Sequence, residues 1–153
     1  MENLKIITYP NKILEKKSSL IKKEEIATYQ DLASAMINVM LAHNGVGLAA
    51  PQIGRNICLI VISKAVHDQQ KDLILFNPKI SFASNNLSVI EEGCLSLPNM
   101  YKAVQRPDKV RVKAQNEKGE KIQIKGKGFF AHVLQHEIDH LNGILIIDRE
   151  ING

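Results

Sequence analysis

Phe129-Phe130-Ala131-His132-Val133-Leu134-Gln135-His136-Glu137-Ile138-Asp139-His140-Leu141 is the stretch whose reading decides the fold. Its residues Phe129, Phe130, Val133, Leu134 and Leu141 lie around a helix rather than along one stripe, the pattern of a helix buried on most sides. Gly126-Lys127-Gly128 opens it and Gly143 closes it. His136 and His140 stand four residues apart, so both imidazoles fall on one face, one turn apart. From there they can hold one metal ion, with Glu137 placed to act as a base toward water at that metal. Two histidines are an incomplete site, since a catalytic zinc-type centre takes three protein ligands and an open position. Taken alone, the motif is equally compatible with a surface helix that carries its His and Glu incidentally.

The 153 residues suffice for one domain with a real core and are too few for two, so a single domain over 1–153 is expected. Apolar residues at 44% and charged residues at 24% read as globular and soluble. No apolar run approaches the roughly 20 residues of a bilayer span, so no membrane partner is expected. Met1-Glu2-Asn3-Leu4-Lys5 has no leader pattern, and two cysteines, Cys58 and Cys94, make no disulfide framework. Both features predict a reducing, cytoplasmic setting. The formal charge of +4 rests on scattered lysines such as Lys16, Lys17, Lys22 and Lys23. It reads as a solvated surface, with attraction to an RNA-rich partner as the other reading and no sequence-specific nucleic acid.

Upstream, Ile26, Tyr29, Leu32, Ala33, Met36, Ile37 and Met40 recur at steps of three and four, predicting an amphipathic helix from about Glu24 to His43. The glycine-rich run Gly45-Val46-Gly47-Leu48-Ala49-Ala50-Pro51-Gln52-Ile53-Gly54 follows, and its backbone can lie close against something else. No Lys-Ser/Thr follows it, so a phosphate loop does not fit. Ile57 to Ile62 reads as a buried strand with Cys58 as a small core residue. Leu73 to Phe76 is a further strand, ended by Asn77-Pro78, and Ile80 to Phe82 and Leu87 to Ile90 are short strands about a turn. Glu91 to Pro98 breaks the pattern and reads as a shaped loop displaying Cys94. Lys109 to Ala114 and Lys121 to Lys125 alternate charged and apolar residues, a hairpin with one wet face. Ile144 to Ile147 reads as a last strand.

Cys94 is the natural third ligand, because a thiolate and two imidazoles make a tetrahedral set with one position open. Glu137, next to a ligand without being one, is placed to take a proton from water and pass it to a leaving amine. The Gln52 amide and the Leu95 backbone N–H are plausible donors to an oxyanion. These roles together describe a hydrolase of amide-like bonds.

Three segments, Gly45 to Gln52, Glu92 to Ser96 and His136 to His140, carry the patterns G-x-G-x-A-A-x-Q, E-G-C-L-S and H-E-x-D-H. In that order they closely resemble the signatures of the peptide deformylases. The resemblance implies removal of the formyl group from the N-terminal formyl-methionine of new polypeptides, with release of formate. Cys94, His136 and His140 would hold the metal, Glu137 would be the general acid/base, and Gln52 and the Leu95 N–H would stabilise the oxyanion. The Gly45-Val46-Gly47 loop and Gly93 would pair with the substrate backbone as with an added strand. An apolar pocket walled by Val46, Leu95, Phe129, His132 and Val133 would take the methionine. In this family the metal in the cell is typically ferrous iron, with zinc, nickel or cobalt as substitutes. Arg106 with Asp139 or Glu92 would orient the ligands from behind. The fold implied is α+β, a central metal-binding helix surrounded by short, mostly antiparallel sheets, with the N-terminal helix packed outside.

Three departures stand out. Tyr101 occupies a place where many bacterial members carry arginine, and His132 one where an aliphatic or arginine residue is usual. His132 reads as a polar rim on the methionine pocket. The chain stops at Gly153, without the extended C-terminal helix by which many members dock on the ribosome. That suggests a compact variant, of a phage, whose setting would be a host cytoplasm, or of an organelle matrix, or of a minimal lineage, with only weak ribosome association through the lysine surface. Two rivals stay open: a general zinc peptidase, which would draw a third ligand from Asp148 or Glu150, and an inactive member serving as a metal- or ribosome-binding module.

Overall fold

The structure is a computed structural model that describes residues 3–151. The chain ends, Met1-Glu2 and Asn152-Gly153, on which the readings of leader and C-terminal helix turn, lie outside the described residues. The described part is α+β, with helix α2 (Phe129–Leu141) at its centre. Residues Ala131 to Leu141 of α2 are all buried, as the all-round apolar pattern requires.

Helix α1 (Gln30–Ala42) is shorter than the sequence predicts, because Lys23–Tyr29, the start of the periodic stretch, is a 3₁₀ segment. The main sheet orders its strands β1 (Gly47–Ala49), β2 (Leu59–Ile62), β3 (Leu73–Ala83), β6 (Lys109–Gln115) and β7 (Lys121–Lys127), with every pairing antiparallel. Helix α2 lies on one face of this sheet, where Ile60, Ile62, Leu75, Val112 and Ile124 meet Val133, Leu134 and Ile138. Helix α1 lies on the other, where Leu59, Val61 and Phe76 meet Leu32, Met36 and Met40. The nearly continuous apolar run of β2 is thus explained by burial on both faces.

Three strand readings are corrected. Asn77-Pro78 does not end a strand: β3 runs on to Ala83 through register shifts between Phe76 and Lys79. Asn77 adopts a positive φ of 51° there, and its side-chain amide bonds both the N–H and the carbonyl of Ile21. Glu91 to Pro98 is not a loop standing apart, because β4 (Leu87–Cys94) and β5 (Leu97–Pro107) form a separate two-stranded hairpin that turns at Leu95-Ser96. Ile144 to Ile147 is not a strand, since Ile146–Asp148 is a 3₁₀ turn whose Asp148 carboxylate accepts from the Leu145 N–H.

Candidate active site

Cys94 closes β4 beside α2, and the register shift between Gly93 and Cys94 turns its side chain toward the helix. The ligand atoms of Cys94, His136 and His140 all lie within 4.8 Å of one another. Cys94 Sγ is 3.3 Å from His140 Nε2, which is 3.3 Å from His136 Nε2. Bonds of about 2.0–2.3 Å at tetrahedral angles set such donors roughly 3.3–3.6 Å apart, so the three fit a single ion of zinc-like size.

Hydrogen bonding fixes which nitrogens face that point. Nδ1 of His136 is 2.9 Å from Glu92 Oε1. An ionised carboxylate only accepts, so Nδ1 carries the proton and Nε2 offers its lone pair toward Cys94 and His140. Burial works against a charge on His136, but the Glu137 carboxylate and hydrogen bonds to Cys94 and Glu92 outweigh it and raise the imidazole well above its ordinary value. His140 goes the other way, lowered by burial and by the neighbouring His136 charge. His140 Nδ1 and Glu137 Oε1 are buried without a hydrogen-bond partner among the described residues.

Behind the cluster, Arg106 donates through Nε and one terminal nitrogen to both oxygens of Glu92, at 2.7 and 3.0 Å, and through the other to Asp139 at 2.8 Å. The sequence leaves Asp139 and Glu92 as alternatives; Arg106 takes both. All three residues are buried, so their charges meet one another rather than solvent. Burial alone pushes the Glu92 carboxyl up, but hydrogen bonds from His136 and Arg106 and their charges hold it down at about 2. Arg149, which the sequence gave no reason to single out, donates to Asp139 at 2.6 and 3.0 Å from the 3₁₀ turn near the C-terminus.

His132, expected as a polar rim on the methionine pocket, also has partners behind it. It borders the cavity but is buried, with Nδ1 3.1 Å from Glu92 Oε2 and Nε2 2.9 Å from the Ser88 hydroxyl. The carboxylate makes Nδ1 the donor, and in the neutral ring Nε2 then accepts from Ser88. Glu92 is thus gripped by Arg106, His132 and His136 together.

Gln52 is held by its own loop: its Oε1 accepts from the Ala49 N–H at 2.9 Å, which turns the amide nitrogen toward Cys94 Sγ at 3.5 Å and the Ser96 hydroxyl at 3.2 Å. Leu95 follows Cys94 in the hairpin turn. Glu137 Oε2 lies 3.9 Å from His136 Nε2, and burial pushes this carboxyl up to about 7. Gly47 allows the close approach of its loop to Glu137, because a β-carbon there would fall 2.9 Å from Glu137 Cγ.

These groups open on a cavity of about 690 Å³. Gly45, Val46, Gly47, Gly93, Leu95, Phe129, His132 and Val133 all line it, together with Gln52, Glu92, Cys94, His136 and Glu137. His43 and Met100 also border it, which the sequence did not indicate. The cavity passes between β1 and β4, each of which has a single strand neighbour among the described residues. The Val46 carbonyl already accepts from the Ser63 N–H at 2.9 Å and keeps a second lone pair. Tyr101 is exposed, with its ring over Gly93, its partner across the hairpin. Asp148 and Glu150, the ligands a zinc peptidase would need, are otherwise engaged, the first with the Leu145 N–H and the second with Lys102 at 3.2 Å.

A sequence model of the polypeptide deformylases matches residues 3–152. The chain belongs to the polypeptide deformylase family. The chloroplastic peptide deformylase 1B of Oryza sativa subsp. japonica is 42% identical over 95% of this chain and 54% of its own length. The peptide deformylase of Thermodesulfovibrio yellowstonii is 43% identical over 97% of this chain and 90% of its own. The chain thus spans about half of the plant deformylase and most of the bacterial one. A crystal structure of the class I type b peptide deformylase of Acinetobacter baumannii with Met-Ala-Ser bound superposes with a TM-score of 0.88, at 34% identity over 95% of this chain and 97% of that one. The deformylase fold is therefore that of the described residues. No helix among them is long and apolar enough to cross a membrane.

Proposed function

We propose that this chain is a metal-dependent hydrolase that removes the formyl group from the N-terminal formyl-methionine of new polypeptides and releases formate. The observation that carries this reading is the convergence of Cys94, His136 and His140 beside a buried Glu137 on the wall of one cavity. Those three residues would hold the ion, with ferrous iron as the native metal and zinc, nickel or cobalt as substitutes. A bound divalent ion supplies Lewis acidity, which polarises a carbonyl and eases loss of a proton from water.

The residues supply the rest. Glu137 takes the proton as the water oxygen bonds to the formyl carbon, then returns it to the amine nitrogen as the C–N bond breaks. Gln52 Nε2, aimed by the Ala49 contact, and the Leu95 N–H donate to the formyl oxygen as it gains charge. Val46 and Gly93 lend backbone groups to the peptide between β1 and β4, which reads extended chains with little regard to side chains. Val46, Leu95, Phe129 and Val133 wall the methionine side chain. Glu92, Arg106 and Asp139 orient the ligands, and His132 both borders the methionine pocket and grips Glu92. The cytoplasm or an organelle matrix, where formylated chains are made, is the proposed setting.

The test is an anaerobic assay of formyl-Met-Ala against unformylated peptides, with metal analysis of the same sample. Formate release from the formylated peptide alone, by protein holding about one equivalent of metal, is the expected result. Cleavage of internal peptide bonds, or metal-loaded protein that releases no formate, overturns the reading.

A further inference from the structure

The main sheet is covered on its outer face only in part. Helix α1 packs over β2 and the first half of β3, and beyond the register shifts the outer face of β3, β6 and β7 is bare. There stand Lys79, Lys109, Arg111, Lys113, Lys121, Lys125 and Lys127, all exposed. None makes an ion pair with another described residue. The alternation is strict: Val110, Val112, Ala114, Ile124 and Gly126 point inward between them. The acids nearest in sequence, Asp108, Glu117 and Glu120, stand at strand ends and in the turn, and Glu117 is paired with Lys71.

The register sets like charges face to face. Lys109 lies opposite Lys127, Arg111 opposite Lys125, and Lys79 opposite Lys113. Such pairs destabilise a sheet. Without these seven residues the chain would hold 13 basic and 16 acidic residues, so the lysines scattered elsewhere, Lys16, Lys17, Lys22 and Lys23 among them, do not by themselves make the chain positive. Beside them Phe82 is half-exposed, with the Arg111 guanidinium 5.0 Å above its ring.

We propose that this face binds the phosphate backbone of single-stranded nucleic acid, without reading its sequence. Exposed cations repeat about every 6.7 Å along β6, at Lys109, Arg111 and Lys113, with Lys79 of β3 and Lys125 and Lys127 of β7 on the strands about 4.8 Å to either side, a grid on which successive phosphates can find partners. Phe82 with Arg111 offers a ring on which a base can stack. A membrane surface is the poorer fit, because stable anchoring there adds an inserted apolar element to the charge, and this face has one such side chain. Lys127 is two residues before Phe129 on the cavity wall, and none of the seven basic residues lines the cavity itself.

The test is the polarisation of a labelled oligouridine titrated with the full chain at several salt concentrations. Two double variants remove the same charge, R111E/K125E on the face and K12E/K16E away from it. The face variant is expected to weaken binding roughly tenfold or more and to lower the salt slope by about 1.4, against less than about threefold for the control. F82A is expected to weaken the binding that persists at high salt. Formate release from formyl-Met-Ala should be unchanged in all, which separates lost binding from lost folding and from failure of the deformylase reading. Equal loss in the two double variants, no binding at low salt, or capture only by phosphatidylglycerol vesicles overturns the proposal.

Discussion

A β-carbon on Gly47 would sit 2.7 Å from Oε2 of Glu137. The glycine of one signature therefore sets the space in which the carboxylate of another can stand. Gly47→Ala forces Glu137 to shift, and Cγ, 2.9 Å away, leaves no relief by bending the carboxylate tip alone. A displacement of about 1 Å can cost roughly a hundredfold in rate. The expected outcome is a loss of that order in kcat/KM for formyl-Met-Ala, with metal content intact. Full activity in the variant would show that Glu137 does not depend on this contact.

Replacing Glu137 by Gln keeps its shape and removes its basicity. A positioned acid/base contributes about 10²–10⁴-fold, so formate release should fall by that factor while the ion stays bound. Metal content and single-turnover formate release on one preparation check this. Activity near that of the parent would remove Glu137 from the proton path.

Arg106→Leu leaves the Glu92 and Asp139 carboxylates facing each other in the interior. Deleting one partner of a buried ionic cluster costs about 3–5 kcal/mol. Arg149→Ala should cost under about 1 kcal/mol, because its side chain is 44% exposed. Urea unfolding of the metal-free proteins measures both. A loss for Arg106→Leu no larger than that for Arg149→Ala would mean that the interior fork does not hold this region together.

The two cysteines should label differently. Burial pushes the Cys58 thiol up, against a smaller opposing effect of Lys17, so near pH 8 it stays protonated and unreactive. Cys94 is half-buried on the cavity wall. With metal bound, neither should react with iodoacetamide. After chelation Cys94 alone should react, and Cys58 only on unfolding. Rapid labelling of Cys94 in the metal-loaded protein would contradict its role as a ligand.

The site was legible in sequence where chemistry and spacing coincide, and less so where only backbone geometry decides. Helix α2 was readable to its ends, because glycines punctuate it and its apolar residues go all round. Cys94, His136 and His140 converge as their residue types suggested. The continuous β3 was hidden because Asn77-Pro78 is a turn signal, which here becomes an irregularity within a strand tied down by the Asn77 amide. Strand β5 was hidden because Pro98, Asn99 and its charged residues suit a two-stranded hairpin with a wet face as well as a loop. Arg149 carried no signal, since its partner Asp139 is reached only through the packing of the last turn on α2.

His132 gives the sharpest test of how the ligands are held. Its ring spans Ser88 and Glu92, and the other oxygen of Glu92 fixes His136. His132→Leu keeps the volume roughly apolar but takes one donor from Glu92 and leaves the Ser88 hydroxyl without its acceptor. Glu92 retains Arg106, so the fold should survive while His136 loses part of its alignment. Loss of an outer partner of a metal ligand typically costs about 10–100-fold in affinity, and a fall of that size is expected for cobalt measured by competition with a chelator. His132→Gln restores a donor and should recover part of the affinity, which a merely volume-filling role would not allow. The cobalt absorption band, which reports ligand geometry independently of turnover, should shift in the leucine variant and return toward the parent in the glutamine one. Unchanged cobalt affinity in a folded His132→Leu protein would mean that Arg106 alone suffices to hold Glu92 against His136.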